Sequence, residues 1–279
     1  MKRKYIFIDI DGTLRDHDFG IPPSALTALT QAKANGHSLI ICTGRTKGML
    51  PDDIPLDLFD GMITGGGCRA EYGGKLLRSC YLPYETVIRY RQLFAHEKIP
   101  FCLETDSHMF MSSEMAAEIN RISSADTVDR SEAQRISETT ALVPIGGNMA
   151  EFDAAPQPVC KISFCLTHVQ NRTFAPDPID ELRMIRFADF GDGYIHCELL
   201  HSGCDKSGGM KFLCDSLGLS REDTAAFGDS MNDTDIFHAA GISVCMGNAP
   251  LPVKLHADIV TDNILSDGFY RGMKAAGLI

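Results

Sequence analysis

Residues 4–14 read KYIFIDIDGTL. Lys4 to Ile10 is a run rich in Ile and Phe, broken by a carboxylate at Asp9 and stopped by the turn signal Asp11-Gly12-Thr13. Such a run predicts a strand buried on both faces, as in a parallel sheet. Pro22-Pro23-Ser24 then opens a helical pattern through Ala34. Ala25, Leu26, Leu29 and Ala32 share one face, and Asn35-Gly36 supplies the stop. His37 to Cys42 is a second apolar strand ending at Thr43-Gly44-Arg45. Strand, helix and strand within about 40 residues make a βαβ unit, which crosses over right-handed in an α/β sheet.

The far end of the chain repeats this grammar. Met210–Leu217 predicts a helix closed by Gly218, Thr224–Phe227 a strand ending at Gly228-Asp229, and Asp233–Ala240 a helix. Ile242–Met246 predicts a strand ending at Gly247-Asn248, and residues 253–260 a short helix and a last strand. The middle differs. Helix-like stretches at Glu85–Glu97, Glu114–Ile122 and Asp180–Arg186 mix with strand-like ones at Phe101–Glu104 and Lys161–Leu166. Before them GMITGGGCRAEYGGKLL (61–77) predicts a strand followed by a hairpin at the rim of an insertion. The expected fold class is α/β: residues 1–82 and 187–279 form a discontinuous core domain with a parallel sheet, and 83–186 an inserted α+β domain.

Composition narrows the function. The 279 residues hold 26 Lys and Arg against 37 Asp and Glu, a net charge of −11. An acidic surface repels a phosphate backbone, which argues against nucleic acid as the partner. It weighs less against a small phosphorylated molecule, because a metal ion or lysine can invert the field inside a pocket. Asp9 interrupts the first apolar run too early for a signal peptide. The uncharged run Thr139–Ala150 contains Pro144 and falls short of the ~20 residues a bilayer needs. Ten cysteines without a C-x-x-C pair read as reduced thiols of a cytoplasmic protein rather than metal or disulfide sites. Nothing in the sequence specifies a protein partner.

In an open α/β sheet ligands bind beyond the carboxyl ends of the strands. Polar clusters fall at or near those ends: Asp9, Asp11, Gly12 and Thr13; Thr43, Gly44 and Arg45; Lys206; and Gly228, Asp229, Asn232 and Asp233. A carboxylate inside an apolar strand is costly unless paired or metal-bound. Asp9 and Asp11, two apart, leave the strand on the same side and need a cation or a shared proton. Residues 228–235, GDSMNDTD, could simply cap a helix. Together with Asp9 and Asp11 they make an oxygen-rich set suited to Mg²⁺. Thr43-Gly44 offers a hydroxyl and backbone N–H groups to a phosphate oxygen. Lys206, in GCDKSGG (203–209), reads by itself as a solvated lysine.

Taken together these residues resemble the haloacid dehalogenase-like (HAD) superfamily. IFIDIDGTL (6–14) is similar to its first motif, D-x-D-G-T-[LV], and ICTGR (41–45) to its second. Lys206 stands where the third-motif lysine is expected, and GDSMND (228–233) is similar to the fourth, G-D-x-x-N-D. The run AGISVCMGNAPLPVKLHADIVTDNILSDG (240–268) resembles the Cof-type phosphatases, whose large α/β cap, of the IIB-like type, is inserted between motifs two and three of a Rossmann-like core. One departure is Gly66-Gly67-Cys68, where that branch commonly has Asn-Gly-Ala.

The resemblance implies Mg²⁺-dependent hydrolysis of a small phosphorylated metabolite through an aspartyl-phosphate. Asp9 is then the nucleophile and Asp11 the acid that protonates the leaving alcohol and later accepts a proton from water. Mg²⁺ falls to Asp9, the main-chain carbonyl of Asp11 and Asp229, with Asp233 supporting the shell. Lys206 neutralises the nucleophile and a phosphoryl oxygen, and Thr43, Gly44 and Asn232 grip the phosphate. Specificity is expected in the inserted cap, where Met109, Met111 and Met115 read as core and no polar residue is assigned to the site. A phosphosugar mutase or phosphotransferase shares the same intermediate, and a binding-only regulator would keep the fold without the turnover.

Overall fold

The computed structural model describes residues 2–123, 145–177, 181–187 and 193–279, which divide into two compact units. The first comprises residues 1–45, 52–79 and 205–279, the second residues 46–51 and 80–204.

In the first unit the strands are β1 (Tyr5–Ile8), β2 (Ser38–Cys42), β3 (Gly61–Thr64), β4 (Arg69–Tyr72), β5 (Lys75–Ser79), β12 (Thr224–Gly228), β13 (Ile242–Cys245) and β14 (Ile259–Val260). They run in the order β14-β13-β12-β1-β2-β3-β4-β5, parallel as far as β3, with β4 and β5 antiparallel. The apolar runs of β1, β2 and β12 are buried because helices cover both faces. Phe7 and Ile40 pack with Met210, Leu213 and Phe237 of the helices Lys206–Leu217 and Thr234–Ala239. Phe227 and Val244, on the opposite face by the period-2 alternation of strands, meet Phe269 and Gly272 of the helix Gly268–Ala275. Each such buried side chain contributes about 1.5–3 kcal/mol.

Ile8 is level with Ile41 of β2 and Phe227 of β12. The residues that follow each strand therefore converge on one edge. After β3 the chain turns through Gly65, Gly66 and Gly67, all at positive φ (60°, 62° and 97°). A Cβ on Gly67 would stand 2.0 Å from the carbonyl oxygen of Asp205. Only glycine fits there; position 67 is the glycine that the branch commonly has, so the departure lies in Gly66 and Cys68 on either side of it.

The second unit is built on the order β10-β11-β9-β6-β7-β8. Its strands are β6 (Phe101–Thr105), β7 (Met109–Met111), β8 (Ile145–Asn148), β9 (Val159–Thr167), β10 (Leu182–Arg186) and β11 (Tyr194–His201), antiparallel except for β7 with β8. Phe101, Leu103, Ile162, Phe164 and Leu199 pack with Val87 and Phe94 of the helix Tyr84–His96, with the Phe94 and Phe164 rings stacked at 4.7 Å. Alternate residues form a second cluster, Cys102, Met109, Met111, Met115 and Cys165 with Met49. The expected methionine core is thus present. Near that cluster Lys161 is buried between Glu104 and Glu198.

Two sequence expectations change. Asp180–Arg186 is expected as a helix, but Leu182–Arg186 pairs residue by residue with β11, so sheet pairing overrides the helical pattern; Asp180 lies outside the described residues. β11 pairs with β9, which puts residues 187–204 with the second unit rather than the first, together with 46–51 and 80–82. The hairpin of 61–77, inside the 1–82 expected for the core, lies in the first unit's sheet, where β4 pairs with β3. Half of the uncharged run Thr139–Ala150, residues 139–144, lies outside the described residues. Among the described residues no helix is long and apolar enough to cross a membrane.

Candidate active site

Asp9 follows β1 directly, and its N–H donates to the Phe227 carbonyl of β12 at 3.0 Å. The strand thus carries the carboxylate to the edge of the sheet while burying it to 4% exposure. Lys206, the first residue of its helix, is 3% exposed, not solvated. The Asp205 side chain caps that helix by accepting from the Gly208 N–H, which extends it four residues ahead of the expected start at Met210. From there the Lys206 ammonium donates to Asp9 Oδ1 and to Asp233 Oδ1, both at 2.7 Å.

Asp233 is fully buried and uses both oxygens. Oδ1 takes Lys206, and Oδ2 accepts from the N–H groups of Asp229 and Ser230, at 3.2 and 3.0 Å, and from the Ser230 hydroxyl. These bonds bear out the capping reading of GDSMNDTD, with Ser230 and Asp233 forming the capping box. Asp229, after β12, accepts from the Thr13 hydroxyl at 3.0 Å. Gly12 faces it: a Cβ there would stand 2.2 Å from Asp229 Oδ2, and φ is +80°. The Asn248 side-chain amide donates to the Gly12 carbonyl at 2.8 Å, tying the turn after β1 to the loop after β13.

Asp11 points elsewhere. The Arg45 guanidinium grips it with Nε at 2.7 Å from Oδ2 and Nη2 at 2.8 Å from Oδ1. Thr43 is buried after β2, and its hydroxyl accepts from the Arg45 N–H at 3.2 Å. The Gly44 Cα faces open space. Asn232 is exposed, and its Oδ1 accepts from the Ser230 hydroxyl at 2.6 Å; no described contact links it to Asp9 or Lys206.

Arg45 and Thr13, which the motifs contain without a role of their own, and Asn248, outside the four motifs, supply contacts that the motifs do not assign. Arg45 had a signal, since it follows Thr43-Gly44 at a strand end where ligands gather. Asn248 had a weaker one, in the turn that ends β13.

The electrostatics follow from burial. Burial pushes the Asp9 carboxyl well above the usual carboxylate range; Lys206 pulls it back, and Asp233, Asp229 and Asp11 add to the rise. Burial, then Asp233, push Asp229 up to about 7, against the pull of the Thr13 hydroxyl and Lys206. Burial opposes the Lys206 charge, but Asp233 and Asp9 outweigh it and hold the ammonium firmly protonated. Asp9, Asp229 and Asp233 place one oxygen each within 4.8 Å of one another. Three carboxylates around one ammonium leave an excess of negative charge that a hard divalent cation would offset. The donor set fits Mg²⁺.

A family model described as haloacid dehalogenase-like hydrolase matches residues 6–273. The chain belongs to the haloacid dehalogenase-like hydrolases. Within them it is of the Cof type. It is 29% identical to the HMP-PP phosphatase of Yersinia enterocolitica over 86% of this chain and 82% of that protein. It is 25% identical to the pyridoxal phosphate phosphatase YbhA of Escherichia coli over 96% of each. The HAD subclass IIB sugar phosphatase BT4131 has a solved structure similar to this chain, with a TM-score of 0.79 at 25% identity over 99% of this chain and all of that one. The α/β fold of this hydrolase is thus that of the IIB phosphatases.

Proposed function

We propose that this HAD-like hydrolase is a Mg²⁺-dependent phosphatase that acts on small phosphorylated metabolites, sugar phosphates or phosphorylated cofactors, through an aspartyl-phosphate on Asp9. The enzyme class, phosphoric monoester hydrolase, rests on the family and on its phosphatase relatives. The observation that carries the reading is the buried Asp9 carboxylate, paired with Lys206 and crowded by Asp229 and Asp233. A carboxylate so placed is oriented to attack, and a covalent intermediate splits one hard step into two.

In the first step an Asp9 oxygen bonds to phosphorus as the bond from phosphorus to the substrate oxygen breaks, and Asp11 delivers a proton to the leaving alcohol. In the second, water attacks phosphorus, Asp11 takes its proton, and inorganic phosphate leaves with the Asp9 carboxylate restored. Lys206 balances charge on Asp9 and on a phosphoryl oxygen, and the Thr43 hydroxyl, Gly44 N–H and Asn232 hold the others. Contacts of this kind on developing charge are worth about 3–4 kcal/mol each. Mg²⁺, held by Asp9, the Asp11 carbonyl and Asp229, would offset the repulsion between carboxylate and phosphate. Asp233 is a supporting residue in this reading, because both its oxygens are already engaged.

The Arg45 fork adds a condition. Both Asp11 oxygens are engaged by Arg45, so Asp11 reaches the leaving oxygen only once that pair has opened. Substrate choice beyond the phosphate falls to the second unit, and the compartment is the cytoplasm, in keeping with ten thiols.

The test is phosphate release from p-nitrophenyl phosphate and a panel of sugar and cofactor phosphates, with Mg²⁺ or EDTA, beside Asp9→Asn. Metal-dependent turnover that disappears in the variant is the expected result. Full activity in Asp9→Asn would sink the assignment of the nucleophile.

A further inference from the structure

Within the second unit, just before the chain reaches Asp205 and Lys206, three soft ligands meet. Cys80, His201 and Cys204 each place a donor atom within 4.8 Å of the others. Cys80 opens the segment 80–204 and Cys204 closes it. We propose that these residues form a binding site for a thiophilic divalent cation of the Zn²⁺ class, separate from the phosphatase chemistry and independent of it.

The geometry suits such an ion. Three donors at the outer limit of 4.8 Å would lie about 2.8 Å from their common centre, roughly 0.5 Å beyond a Zn–S bond of about 2.3 Å. A contraction of that size is within reach of side-chain rotation. Two sulfurs and an imidazole select Zn²⁺ over hard ions such as Mg²⁺, which take oxygen. His201 and Cys204 sit at i and i+3 in a tight turn closed by the Cys204 N–H donating to the His201 carbonyl at 2.8 Å.

The histidine is already oriented. Nδ1 accepts from the Gly203 N–H at 3.1 Å, so its lone pair faces the inside of the turn. Nε2 faces the Glu181 carboxylate at 3.8 Å. The Ser202 N–H donates to the Glu181 carbonyl at 2.6 Å and anchors that residue to the turn. Ligation through Nδ1, with the other ring N–H toward a carboxylate, is the usual support of a metal-bound histidine. On binding, the two thiols release their protons to solvent, the Gly203 N–H gives up Nδ1, and water or Glu181 completes a four-coordinate shell. Cys204 is buried while Cys80 and His201 are half-exposed, which leaves the ion a way in. The bound ion would clasp both ends of residues 80–204, a long loop whose closure otherwise costs entropy. Reading the sequence for C-x-x-C misses this site, because its local signature is H-x-x-C and the third ligand is remote.

The experiment uses the full chain, stripped with a chelator, freed of it and titrated with Co²⁺. A thiolate-to-cobalt charge-transfer band saturating at one equivalent is expected. It should vanish in Cys80→Ser and Cys204→Ser, survive in Cys214→Ser, and be displaced by Zn²⁺. The acidic cluster also takes Co²⁺, but through oxygen, so it yields no such band. A measurement on the unaltered protein guards against variants that fail to fold: Zn²⁺ should slow alkylation of Cys80 ~10-fold or more and leave Cys214 unchanged. No charge-transfer band, a band that survives both serine variants, or equal alkylation rates would overturn the site. So would an intact mass lower by two hydrogens, showing a Cys80–Cys204 disulfide instead.

Discussion

Lys206 carries the positive charge of the acidic site at the N-terminus of a helix, where the helix dipole disfavours a cation. It is held there by Asp9 and Asp233. Lys206→Ala leaves those two carboxylates buried against each other. Breaking a buried pair in this way costs about 3–5 kcal/mol, so denaturant unfolding in EDTA should show a loss of that size, smaller when Mg²⁺ is added. Turnover should fall by about 10²–10³. An unchanged unfolding midpoint in EDTA would mean that the pair is not formed. Asp9→Asn and Asp9→Ala should abolish turnover, with folding followed by circular dichroism as the control. Gly12→Ala forces a Cβ onto Asp229 from a backbone at φ +80°. The Mg²⁺ concentration for half-maximal activity should rise by about 10-fold or more, as for other perturbations of a ligand's support. An unmoved midpoint in a Mg²⁺ titration would remove Asp229 from the metal.

At the scale of elements, Asp60 joins the first helix to the sheet. Its carboxylate accepts from Lys33 at 2.7 Å, from the Ser38 hydroxyl at 2.8 Å and from the Leu39 N–H at 3.1 Å. Burial alone would raise its carboxyl, but these three donors outweigh it and hold it below the usual range. A depressed folded value gives stability that is present above the unfolded pKa of about 3.9 and is lost as pH falls through the folded one. Asp60→Ala should therefore cost about 1–2 kcal/mol near pH 7, and the gap to the unaltered chain should close below about pH 4. Denaturant unfolding at both pH values checks this; a gap that ignores pH would refute it. The same scale shows what sequence reading can reach. β1, β2 and β12 are legible because each is a run of apolar residues closed by a turn residue, and that pattern needs no partner to be recognised. Leu182–Arg186 is not legible, because its conformation is decided by β11, a partner in register. Asp9 stands out as a charge inside an apolar run. The fork from Arg45 to Asp11 does not, since a side-chain direction leaves no trace in spacing.

For the whole molecule, the acidic cluster makes stability depend on a ligand. Three carboxylates with one oxygen each within 4.8 Å of one another carry more negative charge than the single Lys206 ammonium offsets. Mg²⁺ at about 100 times its dissociation constant should add about 2.7 kcal/mol of stability, read as a rise in Tm over the EDTA-treated chain. Asp229→Ala should erase that rise while leaving the fold intact. A Tm that ignores Mg²⁺ in the unaltered chain would argue that the acids are neutral in pairs and hold no ion. The raised positions of Asp9 and of Asp229, the latter up to about 7, are the folded-state cost that the ion would relieve.

The close approach of Gly67 to Asp205 has an architectural consequence. β5 ends at Ser79, which lies opposite Arg69 at the start of β4. Asp205, where the chain returns, rests against Gly67, two residues earlier. Departure and return thus touch the same short stretch of the first unit. Whatever chain lies between Ser79 and Asp205 must therefore leave and rejoin the first unit at one spot, a socket whose gauge is set by a single glycine.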